Sequence, residues 1–126
     1  MTDNIKALHA LLAKVESGDI PDTGVNRFGA IPKCGGGVYS DPNWYDAHAA
    51  YWRGDSNAAE ALHGRVLPGW EFDIKDECIL AVRRSLVFSA KSTTTARARL
   101  ITILKVLIFE AALKDMAKPI QTDDMI

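Results

Sequence analysis

The chain has 126 residues, of which 48% are hydrophobic, 25% charged and 8% aromatic, with a formal net charge of -1. That length predicts a single domain, residues 1–126, able to bury a real core. The balance excludes a disordered chain, a disulfide scaffold and a protein basic throughout.

The first segment, NIKALHALLAKVE, places Ile5, Leu8, Leu12 and Val15 at helical spacing, with Thr2 or Asp3 as cap and Gly18 beyond the end. An early acid and the lack of a small-residue cleavage site argue against a signal peptide. Residues 18–40 hold six of the nine glycines and two of the five prolines, with no helix or strand period. They read as a surface loop, partly mobile. Asp41-Pro42 is a sound helix start, because proline at the first helical position lacks only a hydrogen that would be unpaired anyway. That helix is expected to stop at Gly54. A short helix over NAAEALHGRV follows, with Asn57 and Glu60 spaced as a capping box and Ser56 as a competing cap. Pro68 ends it and Gly69 permits a sharp change of direction. Trp70, Phe72 and Ile74 then alternate with Glu71, Asp73 and Lys75, the pattern of a half-buried strand.

Lys75-Asp76-Glu77 reads as a hairpin turn into a second strand, CILAVRR, and a third, LVFSA. The short links predict a three-stranded antiparallel meander. Ser92 to Thr95 offer several caps for a helix running to Lys118-Pro119, followed by a loose tail over 119–126. That helix is apolar nearly all round. Leu100, Leu104, Leu107, Ile108 and Ala111 form one face, and Ile103, Val106, Phe109 and Leu113 lie largely opposite. It must be covered on more than one side, by the first helix and the sheet, by the helix at 41–53 as a lid, or by a second subunit. A homodimer through Val106, Phe109 and Leu113 is therefore expected. Lys105 and Glu110 interrupt its apolar run, so no membrane span is expected. The fold class is thus α+β, a three-stranded antiparallel sheet with helices packed on it, in a three-layer α/β/α sandwich if both sheet faces are covered.

AAEALHGRVLPGWEFDI and the later STTTARARLITILKVLI resemble a family of small phage and prophage proteins, the phage ABA sandwich domain. Leu67, Pro68, Gly69 and Trp70 match that family's helix-ending turn. Thr95, Ala96, Arg97 and Ala98 stand where it often starts a helix with Thr-Pro-Ala, and the missing proline is a departure. The likeness covers residues 56 to 112, with a looser one in the first helix. It implies an origin in a phage or prophage and residence in the host bacterial cytosol. It carries no activity or cofactor. By analogy it suggests an accessory protein that binds a host or phage macromolecule, for example as an inhibitor of a host defence complex.

Few residues suggest chemistry. Cys34 stands beside three glycines, but no partner at catalytic spacing and no phosphate-loop pattern accompany it. In the cytosol it and Cys78 are expected as free thiols. His9, His48 and His63 match no zinc spacing, so no metal and no cofactor is expected. An enzyme is the weakest reading, since no acid–base pair or nucleophile is visible. Trp44, His48 and Tyr51 share a helical face with Trp52 beside them. Trp44, Tyr51 and Trp52 are candidates for a protein-binding patch, against the alternative of ordinary core. Residues 78–109 contain six bases and no acid, leaving nine bases against sixteen acids elsewhere. Arg83, Arg84, Arg97 and Arg99 are the candidates there for binding phosphate or an acidic protein, against the alternative of a solvated surface. Nonspecific, salt-sensitive binding of nucleic acid is the second functional expectation.

Overall fold

The computed structural model describes residues 2–18, 20, 25–33, 40–75 and 78–117. Among these residues four α-helices and three strands follow in the order α1 (Thr2–Ser17), α2 (Pro42–Arg53), α3 (Ser56–Val66), β1 (Glu71–Lys75), β2 (Cys78–Arg83), β3 (Leu86–Ala90) and α4 (Thr95–Ala117), with a 3-10 turn at Val25–Phe28. The class is α+β, as the periodicities predict.

Helix α1 buries Leu8, Leu11 and Val15, with Leu12 only partly covered. It ends at Gly18, whose φ of 81° is a conformation that side chains resist. The Gly18 N–H closes the helix on the Lys14 carbonyl at 3.0 Å. The stretch beyond does not behave as a surface loop where it is described. Ile20, Phe28 and Ile31 are each at most 2% exposed and sit in the main core. Apolar residues without a period still gain from burial, roughly 1.5–3 kcal/mol per large side chain. The expected looseness at 21–24 and 34–39, the turn at 76–77 and the tail at 119–126 lie outside the described residues.

At α2 the reading holds: the Asp41 carboxylate accepts from the Asn43 N–H at 3.0 Å, Pro42 takes the first helical position, and Gly54 closes the helix at φ 62°. The next cap differs from expectation. Asp55, not Ser56 or Asn57, accepts from the Ala58 N–H at 3.1 Å, so α3 follows α2 after two residues. Such a tight corner requires close helices. Ala50, Ala59 and Ala96 provide it, a cluster of small side chains where α2, α3 and the start of α4 meet.

The Leu67–Trp70 corner is pinned at both ends. Leu67 and Trp70 are 1% and 3% exposed, while Pro68 and Gly69 stay outside. The Trp70 N–H donates to the Leu67 carbonyl at 3.1 Å. The His63 Nε2 donates to the Trp70 carbonyl at 2.8 Å, a carbonyl being able only to accept. His63 is thereby a fold residue, its ring 3.9 Å from that of Phe72.

The sheet has the predicted order β1-β2-β3, antiparallel throughout. Phe72, Ala81 and Phe88 align across it, as do Ile74, Ile79 and Ala90. That face looks toward α4, although Ile74 on the outer strand stays 55% exposed. Glu71, Val82 and Val87 align on the opposite face. The centre of the molecule is α4 rather than the sheet: α1, α2, α3, β2 and β3 all pack on it. Leu100, Ile103, Leu104 and Val106 are therefore 0% exposed although they point in different directions. The sheet-centred α/β/α layering is replaced, among the described residues, by a sheet on one side of a central helix.

Candidate interaction surface

Helix α2 turns two faces to different surroundings. Trp44 and Tyr51, two of the three aromatic candidates, point inward. The Trp44 Nε1 donates to the Ile31 carbonyl at 2.9 Å. The buried Tyr51 hydroxyl accepts from the Ile20 N–H at 3.2 Å. Both rings hold the irregular stretch against the core, so they fasten the fold and are not free for a partner.

Trp52, the third candidate, is 45% exposed, and so is Tyr45 seven residues before it. Seven residues is close to two helical turns, so the two rings share a face. Arg53 joins them: its guanidinium lies 5.8 Å from the Tyr45 ring centre and donates to the Tyr45 hydroxyl at 3.2 Å. Tyr45 was not among the sequence candidates, and its seven-residue spacing from Trp52 is the signal that marks it. Behind this face, Arg65 fixes α2 to α3. It bonds the Asn43 side chain at 2.6 Å, the Pro42 carbonyl at 3.0 Å and the Asp46 carboxylate. The face is therefore carried on a braced helix.

The four arginine candidates are not assembled into one row. Arg97 lies 4.3 Å over the Tyr51 ring and donates to the Tyr51 carbonyl at 3.4 Å. Arg99 is 9% exposed, with its guanidinium 5.4 Å from the Phe72 ring centre. Burial holds its pKa below the ordinary arginine value, and the charge of Glu60 opposes that shift. Arg83 meets the Glu110 carboxylate at 3.5 Å. Arg84 projects from the β2–β3 turn at φ 57°. Two of the four are thus occupied with aromatic rings inside the domain, and a third faces an acid.

The dimer candidates divide in the same way. Val106 is enclosed by its own chain and drops out of any surface. Phe109 is half-buried, with ring centres 5.2 Å from Phe88 and 6.4 Å from Trp70. Leu113 is 47% exposed. Cys78 is a half-buried free thiol, and Cys34 lies outside the described residues. Among the described residues no three His, Cys, Asp or Glu side chains gather closely enough to hold a metal ion. No described helix is long and apolar enough to cross a membrane. No family model, no curated protein and no solved structure matches this chain.

Proposed function

We propose that the chain is a non-catalytic accessory protein of a phage or prophage that acts by binding a protein of its host, with inhibition of a host defence complex as the concrete form. The binding reading is carried by the exposed Tyr45–Trp52–Arg53 face. Tyr, Trp and Arg dominate interface hot spots because each offers a large contact area together with a polar tip. Trp52 meets the buried Tyr51 ring edge-on at 5.9 Å and Tyr45 accepts from Arg53, yet each ring keeps 45% of its surface exposed on a braced helix. The origin is supported by the sequence likeness alone, at the Leu67–Trp70 turn and the start of α4. Nucleic acid is the less favoured partner, since Arg97 and Arg99 already lie against aromatic rings.

The test is affinity capture from a bacterial host lysate with the unmodified chain and with a Tyr45→Ala, Trp52→Ala double variant. A host protein identified by mass spectrometry on the former and lost on the latter is the expected result. Equal retention by the double variant would reject this face as the site. Retention that disappears on nuclease treatment would replace the protein partner with nucleic acid.

A further inference from the structure

We infer that the free edge of β3 is a second docking site, taking an extended, acidic strand of a partner protein. The inference stands on different residues from the α2 face and does not depend on it. Among the described residues strand β3 closes the sheet on one side, so one of its edges has no strand neighbour there. The Lys105 Nζ donates to the Ser89 carbonyl at 2.8 Å, which identifies that edge. In an antiparallel pair the N–H and C=O of one residue point the same way. Ser89 and, two residues before it, Val87 therefore turn their backbone groups outward, while Leu86, Phe88 and Ala90 bond to β2.

The flanks of this edge are apolar. On the outer side Val87 is 57% exposed. On the inner side a groove of about 240 Å³ runs between β3, α4 and α1, lined by His9, Leu12, Phe88, Lys105, Ile108 and Phe109. Such a strip suits strand addition: the added backbone takes up the free N–H and C=O groups, and alternate side chains enter the groove.

Charge selects the occupant. Lys105 stands at the groove, and the exposed Arg84 and Lys91 lie just beyond the two ends of β3. A second β3 from another copy, paired antiparallel, would bring Lys105 toward Lys105 and Arg84 toward Lys91. Like charges across a strand pair oppose pairing. An acidic strand reverses the sign of each contact. Its N–H replaces the Lys105 ammonium at the Ser89 carbonyl, and the released ammonium pairs with its carboxylate. Until then Lys105 guards the edge, a common device against unwanted pairing.

The test uses two blocked, labelled peptides, alternating Glu/Val and alternating Lys/Val, each about seven residues long, near ordinary strand length. Fluorescence anisotropy at low salt should show saturable binding of the Glu/Val peptide alone. Binding should also slow hydrogen exchange at the Val87 and Ser89 amides. Val87→Pro deletes an outward N–H that β2 does not use and leaves the ladder intact. It should weaken binding by about tenfold or more, and so should Lys105→Glu, with circular dichroism unchanged. Equal binding of both peptides, no binding by the unmodified chain, or full affinity in Val87→Pro would overturn the inference. A dimer of the unmodified chain that Val87→Pro dissolves would assign the edge to a second copy instead.

Discussion

Trp70 joins the corner after α3 to the end of the core, and its removal measures what the corner contributes. The side chain is 3% exposed, its Nε1 donates to Glu110 at 2.9 Å, and its ring meets Phe88 and Phe109 at 5.7 and 6.4 Å. Trp70→Ala removes a large buried ring that its neighbours cannot refill, which costs about 3–5 kcal/mol. For a domain of this size each kcal/mol is worth roughly 3–5 °C, so the midpoint should fall by about 10–20 °C. Trp70→Phe keeps most of the packing and loses the N–H donor. Because Glu110 is 37% exposed and water can replace the donor, we expect a cost of about 1–2 kcal/mol. Glu110→Gln keeps an acceptor and loses the 3.5 Å contact with Arg83, which is also exposed, so it should stay within about 1 kcal/mol. Urea denaturation followed by circular dichroism reads all three variants. Trp70→Ala within about 1 kcal/mol of the parent would refute the argument, because the corner would then hold without its anchor. If Trp70→Phe cost as much as Trp70→Ala, the hydrogen bond and not the ring would be the source of stability.

Two further changes probe the tight α2–α3 corner. Gly54→Ala forces a methyl into a φ of 62° and within 3.5 Å of the Thr94 methyl, so it should cost about 1–2 kcal/mol in thermal melts. A melt unchanged or raised would mean that the corner relaxes easily. Ala59→Leu overfills the alanine cluster at 0% exposure and should cost about 1–3 kcal/mol or more, whereas Ala61→Leu on the exposed side of α3 should be close to neutral. Equal effects of the two would show that the helices are not closely packed there.

Local chemistry made much of this fold legible. Asp41-Pro42 and Gly54 bound α2 because they act on backbone groups of their own helix. Alternation found β1, β-forming composition found β2 and β3, and the short links left little choice but a meander. The errors arose where distant contacts decide. Ile20, Phe28 and Ile31 follow no period, and only the folded chain shows that Tyr51 and Trp44 hold that stretch in the core. Asp55, Ser56 and Asn57 are three capping residues in a row, so composition could not choose among them. At α2, spacing correctly grouped Trp44 with Tyr51 but could not say that their face is the inner one. Tyr45 was consequently left to the structure, and Trp52 was grouped with two rings that turn out to face the other way. Arginines posed the same difficulty, since a linear run of bases does not reveal that Arg97 and Arg99 lie against rings.

The all-round apolar helix has an answer within its own chain, and that answer is open to test at its C-terminal half. Sheet, α1, α2 and α3 enclose α4 over Leu100 to Val106, and beyond them cover thins: Phe109 is half-buried and Leu113 lies open. In a chain that covers its own helix, Phe109→Glu places a carboxylate among the Phe88 and Trp70 rings. The lost packing and the charge together should cost about 2–4 kcal/mol and leave the mass in solution unchanged. Leu113→Glu puts the same charge where water already reaches, and should stay within about 0.5 kcal/mol. A dimer joined along this end of α4 predicts another pattern, since both residues would then meet the partner. The unmodified chain would sediment as a dimer, and either change would release a folded monomer. Sedimentation velocity and urea denaturation on the three proteins separate the two arrangements. Loss of stability in Phe109→Glu alone, at constant mass, is the result that α4 enclosed by a single chain requires.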